Sequence, residues 1–270
     1  MIDHTVQTVD TGSLRMNYLR FGEGSDTLVV LPGISPKRVL SSAASIAEQY
    51  ACLAKDYTVY LFERKENMEQ GYLVADMARD TADAARALGL SDIYLYGISQ
   101  GGMIALTMAI EYPELVKKIA VASSSSRESS FARDILPQWT GYALAGDAKA
   151  LTASFADHLY SDAFLKKYRR IMLSMNLGLT SEDYERFIIQ VRACEGYDIY
   201  NRLGLIKCPL FVIGGKNDKI VGLESMKEIA EATGCEIYIF ENGAHAVYDE
   251  EKDCIKRVAD FFTGDRQTLI

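Results

Sequence analysis

Short runs of apolar residues recur along the chain: TLVVLPG, YTVYLFE, IYLYGIS, KIAVASSS, PLFVIGG and CEIYIFE. Most are followed by a turn and then by a segment whose apolar positions have helical spacing. Continuous apolar runs of this length fit strands covered on both faces, and their alternation with helices predicts a parallel sheet of βα units. The fold class expected is therefore α/β. Ahead of the first run, VQTVD and LRMNYLRFG predict an antiparallel hairpin. VLSSAASIAEQYACLAKD and DMARDTADAARALGLSD predict helices, the second stopped by Gly89. GMIALTMAIEYPELV predicts a helix interrupted near Pro113, and YDEEKDCIKRVADFFTG predicts one closing helix. That helix would place Ile255, Val258, Phe261 and Phe262 on the sheet and end at Gly264.

From about residue 126 to about residue 205 the alternation stops. DAKALTASFADHLY, SDAFLKKYRRIMLSM and TSEDYERFIIQVRAC predict several helices with no strand between them, the last with a Thr180 to Asp183 capping pattern. A helical stretch inserted into an alternating order predicts a lid over the sheet edge, because ligands of open α/β sheets bind beyond the carboxyl ends of the strands. The organisation expected is a core of residues 1–125 and 206–270 carrying a cap of residues 126–205. Within the cap, KKYRR at 166–170 predicts a wet helix face with one buried aromatic, Tyr168.

Composition narrows the function. Of 270 residues, 49% are hydrophobic and 24% charged, which is ordinary for a globular chain. A net charge of -8 would repel phosphate backbones and anionic lipid, so nucleic acid is not an expected partner. The start, MIDHTVQTVDTG, has no basic, apolar leader, and no apolar stretch reaches the roughly 18 to 20 residues needed to cross a bilayer. The expectation is a cytoplasmic protein without a membrane span, acting on a small molecule as a monomer or homodimer. Cys52, Cys194, Cys208, Cys235 and Cys254 are odd in number and lack C-x-x-C spacing, which fits reduced thiols rather than disulfides or zinc. No pattern calls for a metal or cofactor: G-x-x-x-x-G-K-[ST] is absent, and GISQGG does not fit G-x-G-x-x-G.

GISQGG is the segment that carries chemistry. If IYLYG is a strand and GMIALTMAI a helix, Ser99 sits at the sharp turn between them, exposed on a strained backbone, with flanking glycines letting strand and helix approach. The amino terminus of the helix directs N–H groups toward developing negative charge, Gln100 among them. A serine hydroxyl needs a base, and the base needs a partner to fix its tautomer. His4 lies near the terminus and His158 inside the helical insert, whereas His245 follows CEIYIF in the turn-rich ENGAHAVYDE. Asp218 follows PLFVI in GGKNDKIV. Glu128, just after KIAVASSSS, is a competing acid. The serines at 123–126 are expected to form a solvated strand end and hinge.

The chain order Ser99, Asp218, His245, each in a loop after a strand, resembles that of the α/β-hydrolase superfamily across nearly the full length. GISQGG is similar to its nucleophile elbow, GGKNDKIV to its acid loop and ENGAHAV to its histidine loop. The resemblance implies an α/β-hydrolase fold, a mostly parallel central sheet flanked by helices with a helical cap. LPGISP resembles the segment supplying the second oxyanion donor, which would be the backbone N–H of Ile34 beside that of Gln100; many members carry His where this chain has Pro32. The activity implied is hydrolysis of a small or medium apolar carboxylic ester through an acyl-enzyme. The same triad serves thioesterases, acyltransferases, C–C bond hydrolases and aminopeptidases, and a non-catalytic ligand-binding member would keep the same fold.

Overall fold

Eight strands form one sheet in the order β1-β2-β4-β3-β5-β6-β7-β8, with only β1 and β2 antiparallel to their neighbours. The computed structural model describes residues 3–264; residues 1, 2 and 265–270, the outer ends of the expected core segments, lie outside the described residues. The predicted hairpin is β1 (His4–Asp10) with β2 (Arg15–Phe21). The six apolar runs become β3 (Asp26–Leu31), β4 (Tyr57–Phe62), β5 (Ile93–Ile98), β6 (Val116–Ala122), β7 (Leu210–Gly215) and β8 (Glu236–Phe240).

These runs read as unbroken apolar stretches because successive side chains enter two different cores. Val29, Leu95, Val121 and Val212 pack on one face of the sheet, while Leu28, Val30, Tyr94, Tyr96, Ala120 and Phe211 pack on the other. On the first face lie α2 (Val74–Ala87) and α3 (Gln100–Glu111). α2 buries Val74, Met77, Ala78, Thr81, Ala82 and Ala85, the 3.6-residue stripe of an amphipathic helix. α3 is buried from Gln100 to Ala109, as its nearly all-apolar sequence requires. It ends at Glu111, because the residue before Pro113 is driven out of helical geometry.

Several elements differ from the sequence expectations. The stretch from Val39 to Leu53 is two 3-10 turns around a short α1 (Ala43–Gln49), not one helix. The closing helix is two, α9 (Val247–Glu250) and α10 (Asp253–Thr263), the second stopped by Gly264 in the left-handed region. Two helices escaped the spacing analysis: α8 (Leu223–Thr233) after β7 and α4 (Ser130–Leu144) after β6. With α5 (Ala148–Leu159), α6 (Asp162–Ser174) and α7 (Ser181–Arg192), α4 makes four consecutive helices between β6 and β7. The Thr180–Asp183 capping box is present at the start of α7. Tyr168 is 45% exposed, so KKYRR has no buried aromatic; α6 buries none of its residues. Among the described residues no helix is long and apolar enough to cross a membrane.

Candidate active site

Ser99 occupies the junction of β5 and α3 with φ 53° and ψ -120°, a conformation costing a non-glycine residue about 1–3 kcal/mol. The surroundings dictate it. A Cβ at Gly97 would lie 2.4 Å from the Gly101 carbonyl, and one at Gly101 would lie 1.9 Å from that of Leu31, so only glycines let β5, α3 and β3 converge. The Ser99 N–H donates to Ala122 at 2.8 Å, and its carbonyl accepts from Gly102, Met103 and the Ser124 hydroxyl. Serines 123–126 are fully buried, which corrects the expectation of a solvated strand end. Their small size is the reason, since a Cβ on Gly102 would already meet Ser124 at 2.5 Å.

Asp218 and His245 come together as a buried pair. His245 Nδ1 donates to Asp218 Oδ2 at 2.8 Å, and Asp218 Oδ1 accepts the N–H groups of Ile220 (2.8 Å) and Val221 (2.9 Å). Asp218 is 4% exposed and His245 2%. A carboxylate only accepts, so Nδ1 carries the hydrogen of this bond and Nε2 is the ring nitrogen left for another partner. Both loops are tightly paired: Asn217 donates to Gly243 at 2.9 Å, and a Cβ on Gly215 would sit 2.2 Å from the Ala244 carbonyl. Glu128, the competing acid, instead lies 3.5 Å from Arg133. His158 caps its own helix face, Nδ1 against the Ser154 carbonyl at 2.8 Å, and His4 lies in edge strand β1.

Ser99 and His245 line one cleft, together with Ile34 and Gln100. No hydrogen bond joins the Ser99 hydroxyl to His245, whose ring bonds to Asp218. The backbone N–H groups of Ile34 and Gln100 have no acceptor among the described residues. No Asp, Glu, Lys or Arg borders the cleft; its walls are Met103 on α3, Leu136 and Trp139 on α4, Phe155 and Leu159 on α5, and Ile220 and Val221 beside Asp218. Trp139 sends its indole N–H to Ser154 at 3.0 Å and packs its rings 4.2 Å from Phe155 between centroids, which leaves hydrocarbon facing the cleft. Sequence alone does not assign these walls, because an apolar residue lining a cleft and one filling a core give the same pattern. Cys194 also borders the cleft, with its thiol pushed up to about 11 by burial.

The model of the alpha/beta hydrolase fold family matches residues 27–252, a span that includes both the strained turn and the Asp218–His245 pair. The chain belongs to that family. This alpha/beta hydrolase is 24% identical to the serine hydrolase BPHL of Mus musculus over 273 residues, covering 96% of this chain and 86% of that one. It is 23% identical to a putative carbamate hydrolase, RutD, of Rhizobium rhizogenes (strain K84 / ATCC BAA-868), covering 74% of this chain and 80% of the relative. In fold it is similar to MGS-M2, an alpha/beta hydrolase enzyme from a Medee basin deep-sea metagenome library, with a TM-score of 0.84, 22% identity and 98% of each chain covered.

Proposed function

We propose that this alpha/beta hydrolase is a serine hydrolase that cleaves small or medium apolar carboxylic esters through an acyl-enzyme. One observation carries the proposal. A strained serine and a carboxylate-anchored imidazole border the same uncharged cleft. The Ser99 hydroxyl attacks the ester carbonyl as its proton passes to His245 Nε2, and Asp218 steadies the imidazolium that forms. The N–H groups of Ile34 and Gln100 donate to the developing oxyanion, a contribution of roughly 3–4 kcal/mol per donor in comparable sites. The leaving alcohol takes the proton from Nε2, and water then releases the acid by the same route in reverse. The helices of residues 126–205 act as the cap, with Leu136, Trp139, Phe155 and Leu159 shaping the acyl pocket. That the relative BPHL is a serine hydrolase supports the nucleophile assignment.

The test is a panel of acyl esters, thioesters and aminoacyl amides run against wild type and Ser99→Ala. Ester turnover that falls by roughly six decades in the variant is the expected result. Faster thioester or amide turnover would move the substrate class, and turnover indifferent to Ser99 would leave a binding protein on a hydrolase fold.

A further inference from the structure

Arg64 follows β4 and is 5% exposed, yet no salt bridge to it is formed among the described residues. Burial pulls its guanidinium down to about 10, so it remains a cation at neutral pH. A buried cation without an ion pair is costly, and apolar residues at such positions are often as stable or more so. Where it points offers a reason for its presence. The Nη2 group donates to the Pro32 carbonyl at 2.8 Å and to the Gln100 side-chain oxygen at 3.2 Å. Pro32 precedes Ile34 by two residues, and Gln100 carries the second proposed oxyanion donor on its own backbone.

The contacts continue in a closed circuit. Gln100 Nε2 donates to the Gln190 carbonyl at 2.6 Å and to Cys194 Sγ at 3.2 Å, both at the end of the helical segment that packs over the site. Gln190 Nε2 returns to the Ser35 carbonyl at 3.4 Å, on the far side of Ile34 from Pro32. Gln100 is 1% exposed and Gln190 7%, so water does not compete for these bonds.

We infer that Arg64 is a positioning residue for the oxyanion hole, its Nη2 group bridging the Pro32 carbonyl, two residues before the Ile34 donor, to the side chain of Gln100, whose backbone carries the other donor. The inference rests on the serine-hydrolase reading. An oxyanion donor must lie about 2.7–3.1 Å from the oxygen it stabilises, and a misplacement of about 1 Å costs on the order of a hundredfold. Arg64 itself lies outside the cleft walls, so its loss acts on the donors and not on ground-state binding.

The experiment measures kcat and KM for an ester substrate, and the affinity of a trifluoromethyl ketone that forms a tetrahedral Ser99 adduct, in wild type, Arg64→Met, Arg64→Lys and Gln100→Met. Arg64→Met should lower kcat by roughly 10- to 100-fold with KM within about threefold, and should weaken the ketone by the same factor as kcat. Arg64→Lys, which keeps a donor able to bridge both oxygens, should fall between Arg64→Met and wild type. Gln100→Met retains the backbone N–H but cuts the bridge, so it should reproduce the loss, and it decides the question if Arg64→Met does not fold. A folded Arg64→Met with wild-type kcat, a loss carried by KM alone, or an unaffected Gln100→Met would overturn the inference. A wild type without Ser99-dependent turnover would instead sink the hydrolase reading, and this inference with it.

Discussion

Asp218 holds His245 by a 2.8 Å bond from Nδ1 to Oδ2, and its other oxygen is fixed by the N–H groups of Ile220 and Val221. The carboxylate therefore cannot turn away from the ring, and the ring cannot present its Nδ1 to the cleft. Replacing Asp218 with Asn keeps the shape but allows the wrong tautomer, and kcat should fall by roughly four decades. Glu128→Gln should leave kcat within about threefold, because Glu128 faces Arg133 and not the imidazole. Steady-state kinetics on the two variants checks the assignment; a larger loss in Glu128→Gln would reverse it.

The glycines of the turn are steric requirements of unequal weight. Gly101→Ala places a methyl 1.9 Å from the Leu31 carbonyl, backbone that cannot yield, and should destabilise by roughly 3 kcal/mol or more. Gly141, inside α4 with open space around it, should gain roughly 0.5–1 kcal/mol on replacement by Ala. Chemical denaturation of both variants tests this contrast.

Much of this was legible in the sequence because it depends on local geometry. GISQGG between IYLY and MIALTMAI fits a tight strand-to-helix turn, and NDKIV and GAHAV follow the runs that become β7 and β8. What was not legible depends on tertiary contact. α4 was obscured by Pro137 within it, which sequence rules read as a breaker. Serines 123–126 look solvated by composition, but the elbow above them leaves room only for small side chains. Tyr168 has the pattern of a buried aromatic among cations, yet α6 lies at the outside of the helical segment and buries nothing. Arg64 gave no signal because its partners are carbonyls brought from residues far along the chain.

The buried thiols predict a distinct pH response. Burial raises Cys194 to about 11 and Cys254 to about 12, against an ordinary thiol near 8.5. A folded-state pKa above the unfolded value contributes stability that is complete below about pH 8.5 and is lost as pH rises toward 11–12, with a slope of about 1.4 kcal/mol per pH unit for each thiol. Stability should thus decline between pH 8.5 and 11, and Cys254→Ser should flatten that decline. Urea unfolding across this range measures it.

The same thiols should be inert in the folded protein. At pH 8 roughly one Cys194 side chain in a thousand would be a thiolate, so iodoacetamide should spare Cys194 and Cys254 and leave ester turnover intact. Exposed Cys52 is the site expected to react first. Peptide mass mapping after brief alkylation reports the order, and inactivation that tracks Cys194 modification would assign that thiol a part in the chemistry.

The central claim is that Ser99 is a nucleophile activated by His245. Incubating the folded protein with a fluorophosphonate and locating the adduct by peptide mass spectrometry tests it most directly. The expected result is a single adduct on Ser99, formed in wild type and nearly abolished in His245→Ala. An unlabelled Ser99 in folded protein, or an adduct that forms equally fast without His245, would contradict the account.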